Sequence, residues 1–188
     1  MPPKIKTTKE DIINTTVEMV RKNGEKAINA REIAAMLGCS TQPIFSNFTS
    51  MQELKLCVIG RVNEIYQEYR ERAMKSNEFP VYKADGMAYV RFAREEREFF
   101  KLLFMRDRTK EDINGDRSMI DGLIETIHNS TGISRESAEA FHCSMWIFVH
   151  GIATMIVTDY LEWNEKLISE MMTDTFQGLI KQYKSKNQ

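Results

Sequence analysis

Residues 29–48 read NAREIAAMLGCSTQPIFSNF, two short segments with apolar residues at helical spacing on either side of a glycine. Asn29 is a good N-cap, with Glu32 at the third helical position, and Ile33, Ala34 and Leu37 then share one face. Gly38 ends that helix and permits a positive φ in the turn. Ser40 or Thr41 can cap a second short helix containing Pro43, Ile44, Phe45 and Phe48. Proline is tolerated in a first turn, where the N–H groups lack intrahelical partners anyway. Ala34 is small where the two helices would cross, and Ile33, Leu37 and Ile44 would lock the pair. Two short helices joined by such a turn make a helix-turn-helix, whose second helix points its outer side chains into a DNA major groove.

The flanking sequence supports a fully helical reading. Thr8 with Asp11 three residues on is a capping-box pattern. It is followed by Ile12, Ile13, Thr16, Val17 and Val20 on one face and by Gly24 as a stop. Ser50 with Glu53 repeats the pattern and opens a helix expected to reach Lys75 through Leu54, Val58, Val62, Ile65 and Tyr69. The four prolines stand at positions 2, 3, 43 and 80, so long helices are allowed on both sides of Pro80. Helices are predicted over 81–94, 96–106 and 118–128, with a polar loop at 110–116. A long helix capped by Ser134 should run to about Leu161, and a last one should carry Leu167, Met171, Phe176, Leu179 and Tyr183. No stretch alternates with period two. The expected class is all-α with about nine helices. A helix-turn-helix domain occupies residues 1–50, a connecting helix covers 50–75, and a C-terminal helical bundle lies within 51–188.

Charge narrows the function. The formal net charge is −1 and the pI is about 6.3, so any nucleic-acid contact must come from a local patch. Through Ser50 there are seven Lys and Arg against five acids, a mildly basic N-terminal part. Cys39, Cys57 and Cys143 are widely spaced, with neither a disulfide framework nor a zinc spacing, which fits a reducing cytosol. No apolar run follows the N-terminal Met-Pro-Pro-Lys, so a cytoplasmic protein without a signal segment is expected. Residues 140–158 carry no Asp, Glu, Lys or Arg and approach the length of a membrane span. His142, Ser144, His150, Gly151, Thr154 and Thr158 within them favour a buried helix and no membrane. No cofactor and no metal are expected.

Within the helix-turn-helix, Thr41 and Gln42 lie at the end of the second helix that usually reads base edges. Gln can bond adenine through two contacts and a Thr methyl can meet a thymine methyl. Lys4, Lys6 and Lys9 could reach phosphates, as could the N–H groups at the helix starts near Thr41 and Ser50. Residues 9–59 resemble the DNA-binding domain of the TetR family of bacterial one-component regulators. The resemblance rests on Ile12 to Gly24, Ala30 to Ala34, Gly38 to Ser40, Ile44 to Phe48, and Leu54, in order and spacing. Further on, Trp146, His150 and Gly151 resemble a Trp…His-Gly pattern in one group of the family's C-terminal domains.

The resemblance implies a homodimer on a roughly palindromic double-stranded operator, released by a small-molecule effector, with dimerisation through the last two helices. The candidate DNA face is Lys4, Lys6, Lys9, Arg31, Ser40, Thr41, Gln42, Pro43, Phe45 and Asn47. Candidate pocket residues are Phe92, Phe99, Phe104, Met105, Trp146 and His150. Candidate dimer residues are Phe148, Ile152, Met155, Phe176 and Ile180. Three positions depart from the family pattern. Phe45 replaces a Tyr and loses a hydroxyl, Asn47 stands at an aromatic or His position, and Met51 replaces a Lys; fewer phosphate contacts are expected. Two other readings remain open. One is an interaction protein of the same fold without operator binding. The other is a metal-dependent bundle enzyme using the pairs Glu125/His128 and Glu139/His142.

Overall fold

Thr8 opens the first helix as the sequence pattern requires: its hydroxyl accepts the Asp11 N–H at 3.1 Å, and the Asp11 carboxylate accepts the Thr8 N–H at 2.9 Å. The computed structural model describes residues 7–107, 114–160 and 163–186, with 114–119 and 186 as backbone. Among these are nine α-helices and no strand. They are α1 (Lys9–Asn23), α2 (Ala30–Met36), α3 (Gln42–Asn47), α4 (Met51–Lys75), α5 (Val81–Glu95), α6 (Arg97–Phe104), α7 (Asn114–Thr131), α8 (Arg135–Val157) and α9 (Glu165–Lys186). The chain is all-α, as its periodicity implies.

The other caps follow the same chemistry. Asn29 Oδ1 accepts the Arg31 N–H at 2.9 Å, Ser50 Oγ accepts the Glu53 N–H at 3.1 Å, and Ser134 Oγ accepts the Ser137 N–H at 3.1 Å. Each satisfies a donor that a helix start leaves without an intrahelical partner. The expected side-chain cap at α3 does not form. Thr41 precedes that helix with helical dihedrals of its own (φ −72°, ψ −12°) and makes no side-chain cap bond. A cap hydroxyl reaches the first amides from an extended backbone, which Thr41 lacks.

Further differences from the sequence expectation are local, α8 ending at Val157 short of the expected Leu161 among them. A 3₁₀ turn at Glu25–Ala27, closed by Ala27 N–H to Gly24 C=O at 3.0 Å, links α1 to α2. α7 begins at Asn114, inside the stretch expected as a polar loop, whose residues 110–113 lie outside the described residues. A polar composition does not prevent a first helical turn, because the amides there have no intrahelical acceptor in any sequence.

α2 ends in a Schellman motif. Cys39 N–H bonds Ala34 C=O at 3.0 Å and Gly38 N–H bonds Ala35 C=O at 3.1 Å. Gly38 takes φ +65°, the left-handed conformation this motif needs. A Cβ at Gly38 would meet nothing within 4 Å, so the glycine is required by backbone conformation and not by space.

Contacts divide the chain into two compact units, the first running to Glu68 and including Glu96–Arg106, the second comprising Tyr69–Glu95 and Asp107 onward. In the first unit, Ile12, Val17 and Val20 of α1, Ile33 of α2, Ile44 of α3, and Leu54, Val58 and Val62 of α4 are buried together with Phe99, Phe100 and Leu102 of α6. Charged contacts tie α1 to α4. Arg61 bonds Glu10 at 2.6 Å and Asn14 at 3.2 Å, and Lys9 Nζ donates to Glu53 at 2.9 Å. Glu53 also accepts the Thr49 N–H at 2.7 Å and the Thr49 hydroxyl at 2.8 Å. The Lys9 bond first, and the two Thr49 bonds after it, bring the Glu53 carboxyl from its ordinary 4.5 down to about 2.

In the second unit α8 packs on α5, α7 and α9. Phe141 of α8 is fully buried, with Phe176 edge-on at 5.0 Å and Tyr82 at 6.0 Å, beside Ile124, Ile127, Ile133 and Met145. Two tyrosine–histidine bonds join α5 to α8: Tyr82 to His142 Nδ1 at 3.1 Å, and Tyr89 to His150 Nδ1 at 2.8 Å. Burial raises both phenols and lowers both imidazoles, favouring uncharged pairs in which the hydroxyl can donate. Asp85 raises Tyr82 further and partly counters the burial effect on His142. An ion pair between buried Arg70 and part-buried Asp85, at 2.5 Å, links the end of α4 to α5. α8 is long and apolar enough to cross a membrane by length and composition, and within this unit it packs against α5, α7 and α9.

Two outcomes are expected from these local arrangements. Gly38→Ala should lower the unfolding free energy by about 1–2 kcal/mol and Gly38→Asn by less, measured by urea denaturation, since only the left-handed φ is at stake. An unchanged midpoint for Gly38→Ala would contradict the turn described. Because Glu53 titrates lower in the folded chain than in the unfolded one, its stabilisation is complete above about pH 5 and lost as pH falls toward 2. The melting-temperature gap between the wild type and Glu53→Gln should therefore be present at neutral pH and close on acidification. A gap that is constant with pH would contradict the pairing.

Candidate nucleic-acid interface

α3 is six residues long, and its orientation is set from beneath. Ile44 is 0% exposed and Phe48, just past the helix, is buried. The opposite face is therefore outside: Gln42, Phe45 and Ser46 are exposed, with Phe45 at 57%, while Thr41, Pro43 and Asn47 are half-buried. Two of its polar side chains turn back on the helix. Ser46 Oγ donates to Gln42 C=O at 2.9 Å and Asn47 Nδ2 donates to Pro43 C=O at 2.7 Å. The outward chemistry is thus dominated by the Gln42 amide and the Phe45 ring. Ser40, in the turn, and Arg31, in the first turn of α2, are exposed as well.

The basic groups are arranged differently from the sequence expectation. Lys4 and Lys6 lie outside the described residues. Lys9 is bonded to Glu53 and lies 4.8 Å over the Phe48 ring. At the start of α4, the Thr49 N–H is taken by Glu53 and the Glu53 N–H by Ser50. Two exposed residues were missed. Ser46 lies one helical turn from Gln42 on the same face, a placement that helical periodicity could have supplied. Met36, 66% exposed, lies off the apolar stripe of α2.

The pocket candidates divide between the units. In the first, Phe99 is buried under Arg21, whose guanidinium is 4.8 Å from the ring centroid, Phe104 meets Tyr66 edge-on at 5.2 Å, and Met105 is exposed. In the second, Phe92 is buried against Tyr69 at 5.3 Å, and Trp146, 52% exposed, stacks on His150 at 5.4 Å. Of the dimer candidates, Ile152 is buried within the chain, Phe148 is half-buried and Met155 is exposed. Phe176 and Ile180 line an open hollow of about 450 Å³ on α9. Ile147, on the charge-free stretch of α8, is 60% exposed.

The two Glu-x-x-His pairs are engaged in structural contacts. His128 Nδ1 lies 2.7 Å from Ile133 C=O, Glu125 and Glu139 face Arg135 at 3.3 and 3.5 Å, and His142 bonds Tyr82. Among the described residues no three His, Cys, Asp or Glu side chains are grouped to hold a metal.

No curated protein matches the chain. A family model described as tetracyclin repressor-like, C-terminal domain, matches residues 83–179, more than half of the sequence and the part that spans α5 to most of α9. Together with an all-α fold of nine described helices, this match assigns the chain to the tetracycline repressor-like family of transcriptional regulators.

Proposed function

We propose that the protein is a homodimeric repressor that holds a palindromic operator through α3 and leaves it when a small molecule binds the C-terminal part. The observation that carries the DNA-binding half of this reading is the outer face of α3, with Gln42 and Phe45 displayed above the buried Ile44. In division of labour, residues 1–50 bind DNA and residues 51–188 bind the effector and dimerise.

Base readout falls to Thr41, Gln42, Pro43 and Phe45, with Ser40 and Asn47 at the margins. Phosphate contact falls to Arg31 and to the lysines at 4, 6 and 9. Lys9 must give up Glu53 to contribute fully, which keeps the number of released counterions small. Effector and operator then compete by favouring different members of one conformational equilibrium, a coupling that is reciprocal between the two ligands. The aromatic residues Phe92, Trp146 and His150, and separately Phe99, Phe104 and Met105, are the candidate effector contacts. The dimer reading is supported by the part of α8 from Ala140 onward, which carries no charged residue. Exposed Ile147 and Met155 are the kind of apolar side chains that permanent interfaces bury. Phe176 and Ile180 would extend that interface on α9, with Phe148 beside it.

A second reading, an interaction protein of the same fold without operator binding, is favoured by one observation: the only lysine described at the start of α1 is neutralised by Glu53.

Fluorescence anisotropy on the duplex upstream of the protein's own coding sequence separates the two. Gln42→Ala should cost about 1–3 kcal/mol on the specific duplex and little on random DNA. Arg31→Ala should lower the slope of log affinity against log salt by about 1. Equal losses on specific and random DNA for Gln42→Ala would contradict base readout from α3. For the dimer, Ile147→Asp should shift the sedimenting species toward monomer, and an unaltered dimer would remove α8 from the interface.

A further inference from the structure

The side chains of α3 restrict which bases it can read. Guanine edges are read by Arg or Lys and the cytosine amino group by Asp or Glu, and α3 contains none of these. Its residues are Gln42, Pro43, Ile44, Phe45, Ser46 and Asn47. Ile44 is inside, and Ser46 and Asn47 donate to their own helix. The exposed side chains of α3 that make no bond back to their own helix are one primary amide and one phenyl ring. An amide fits the paired donor and acceptor of adenine, and a phenyl ring fits the methyl group of thymine. Phe45 also has no large packing duty beneath the helix, which Ile44 and Phe48 perform while Phe45 stays 57% exposed.

We propose that the operator base pairs under α3 are A·T, and that the Phe45 ring reads the 5-methyl group of a thymine while the Gln42 amide reads an adenine. This rests on the operator-binding reading above and adds the class of base that the site takes. The methyl is a separable recognition element, because deoxyuridine pairs as thymidine does and lacks only that group. Burying one methyl-sized apolar group contributes about 0.8 kcal/mol, which is about fourfold in affinity.

The test uses the full-length protein and duplexes selected from a random library. Each thymine of the best duplex is replaced in turn by deoxyuridine, and binding is measured for the wild type and for Phe45→Ala. The wild type should lose about fourfold at one or two thymines per half-site. Phe45→Ala should bind the thymine duplex more weakly and show no difference between thymine and uracil at those positions. A selected duplex whose affinity is unchanged by every uracil overturns the methyl readout and leaves operator binding standing. So does a Phe45→Ala protein that keeps the full thymine preference. Selection of G·C at the positions whose preference relaxes in Phe45→Ala or Gln42→Ala overturns the A·T assignment. If no duplex is enriched over random DNA, operator binding itself fails and this inference falls with it.

Discussion

The burial of Ile44 is the constraint on which the rest of the first unit's reading depends. A six-residue helix does not hold itself together in water, since nucleation is unfavourable and propagation over one and a half turns returns little. α3 also lacks a side-chain cap at its start. It persists because Ile44 and Phe48 are buried with Ile33, Leu54 and the apolar face of α1, and because the Schellman turn at Gly38 fixes where the chain leaves α2. Once Ile44 points inward, helical geometry places Gln42 and Phe45 outward. The exposed face of α3 is a consequence of the core beneath it.

The electrostatics of the same unit act against a simple basic patch. The chain carries a net charge of −1, and the cation at the start of α1 is held by a carboxylate 44 residues away. Glu53 is fixed by the start of α4, where its acceptance of the Thr49 N–H and hydroxyl also offsets the positive end of that helix. The Lys9 ammonium and the Thr49 N–H at this corner are both engaged by that carboxylate. Under the operator-binding proposal, affinity leans on the fit of a few outward side chains more than on charge, and the identity of Phe45 and Gln42 matters more than the number of lysines.

Most of the secondary structure was legible because it is governed by local rules. Thr8, Asn29, Ser50 and Ser134 each cap the helix that the apolar spacing had placed after them, and α4 ends at Lys75 as its pattern indicated. The failures were also local: Thr41 sits where a cap was expected but has the wrong backbone angles, and the turn at Glu25–Ala27 carries no distinctive residues. The site was legible only in outline. Which residues lie on α3 followed from spacing, but the return of Ser46 and Asn47 to their own backbone depends on rotamers. The Lys9–Glu53, Tyr82–His142 and Tyr89–His150 pairs join residues 44, 60 and 61 positions apart, which no local pattern specifies. The grouping of α6 with the first unit is equally invisible in a linear reading, because α5 intervenes.

The central claim, that this family member recognises DNA through α3, is tested most directly by anisotropy titration of the duplex upstream of its own coding sequence at two salt concentrations, with random duplex as the control. Recognition through α3 requires tighter binding to a palindromic segment than to the control, weakening with salt by a shallow slope that reflects few phosphate contacts. Binding equal to the control at both salts, for that duplex and for the best of a random library, would contradict it.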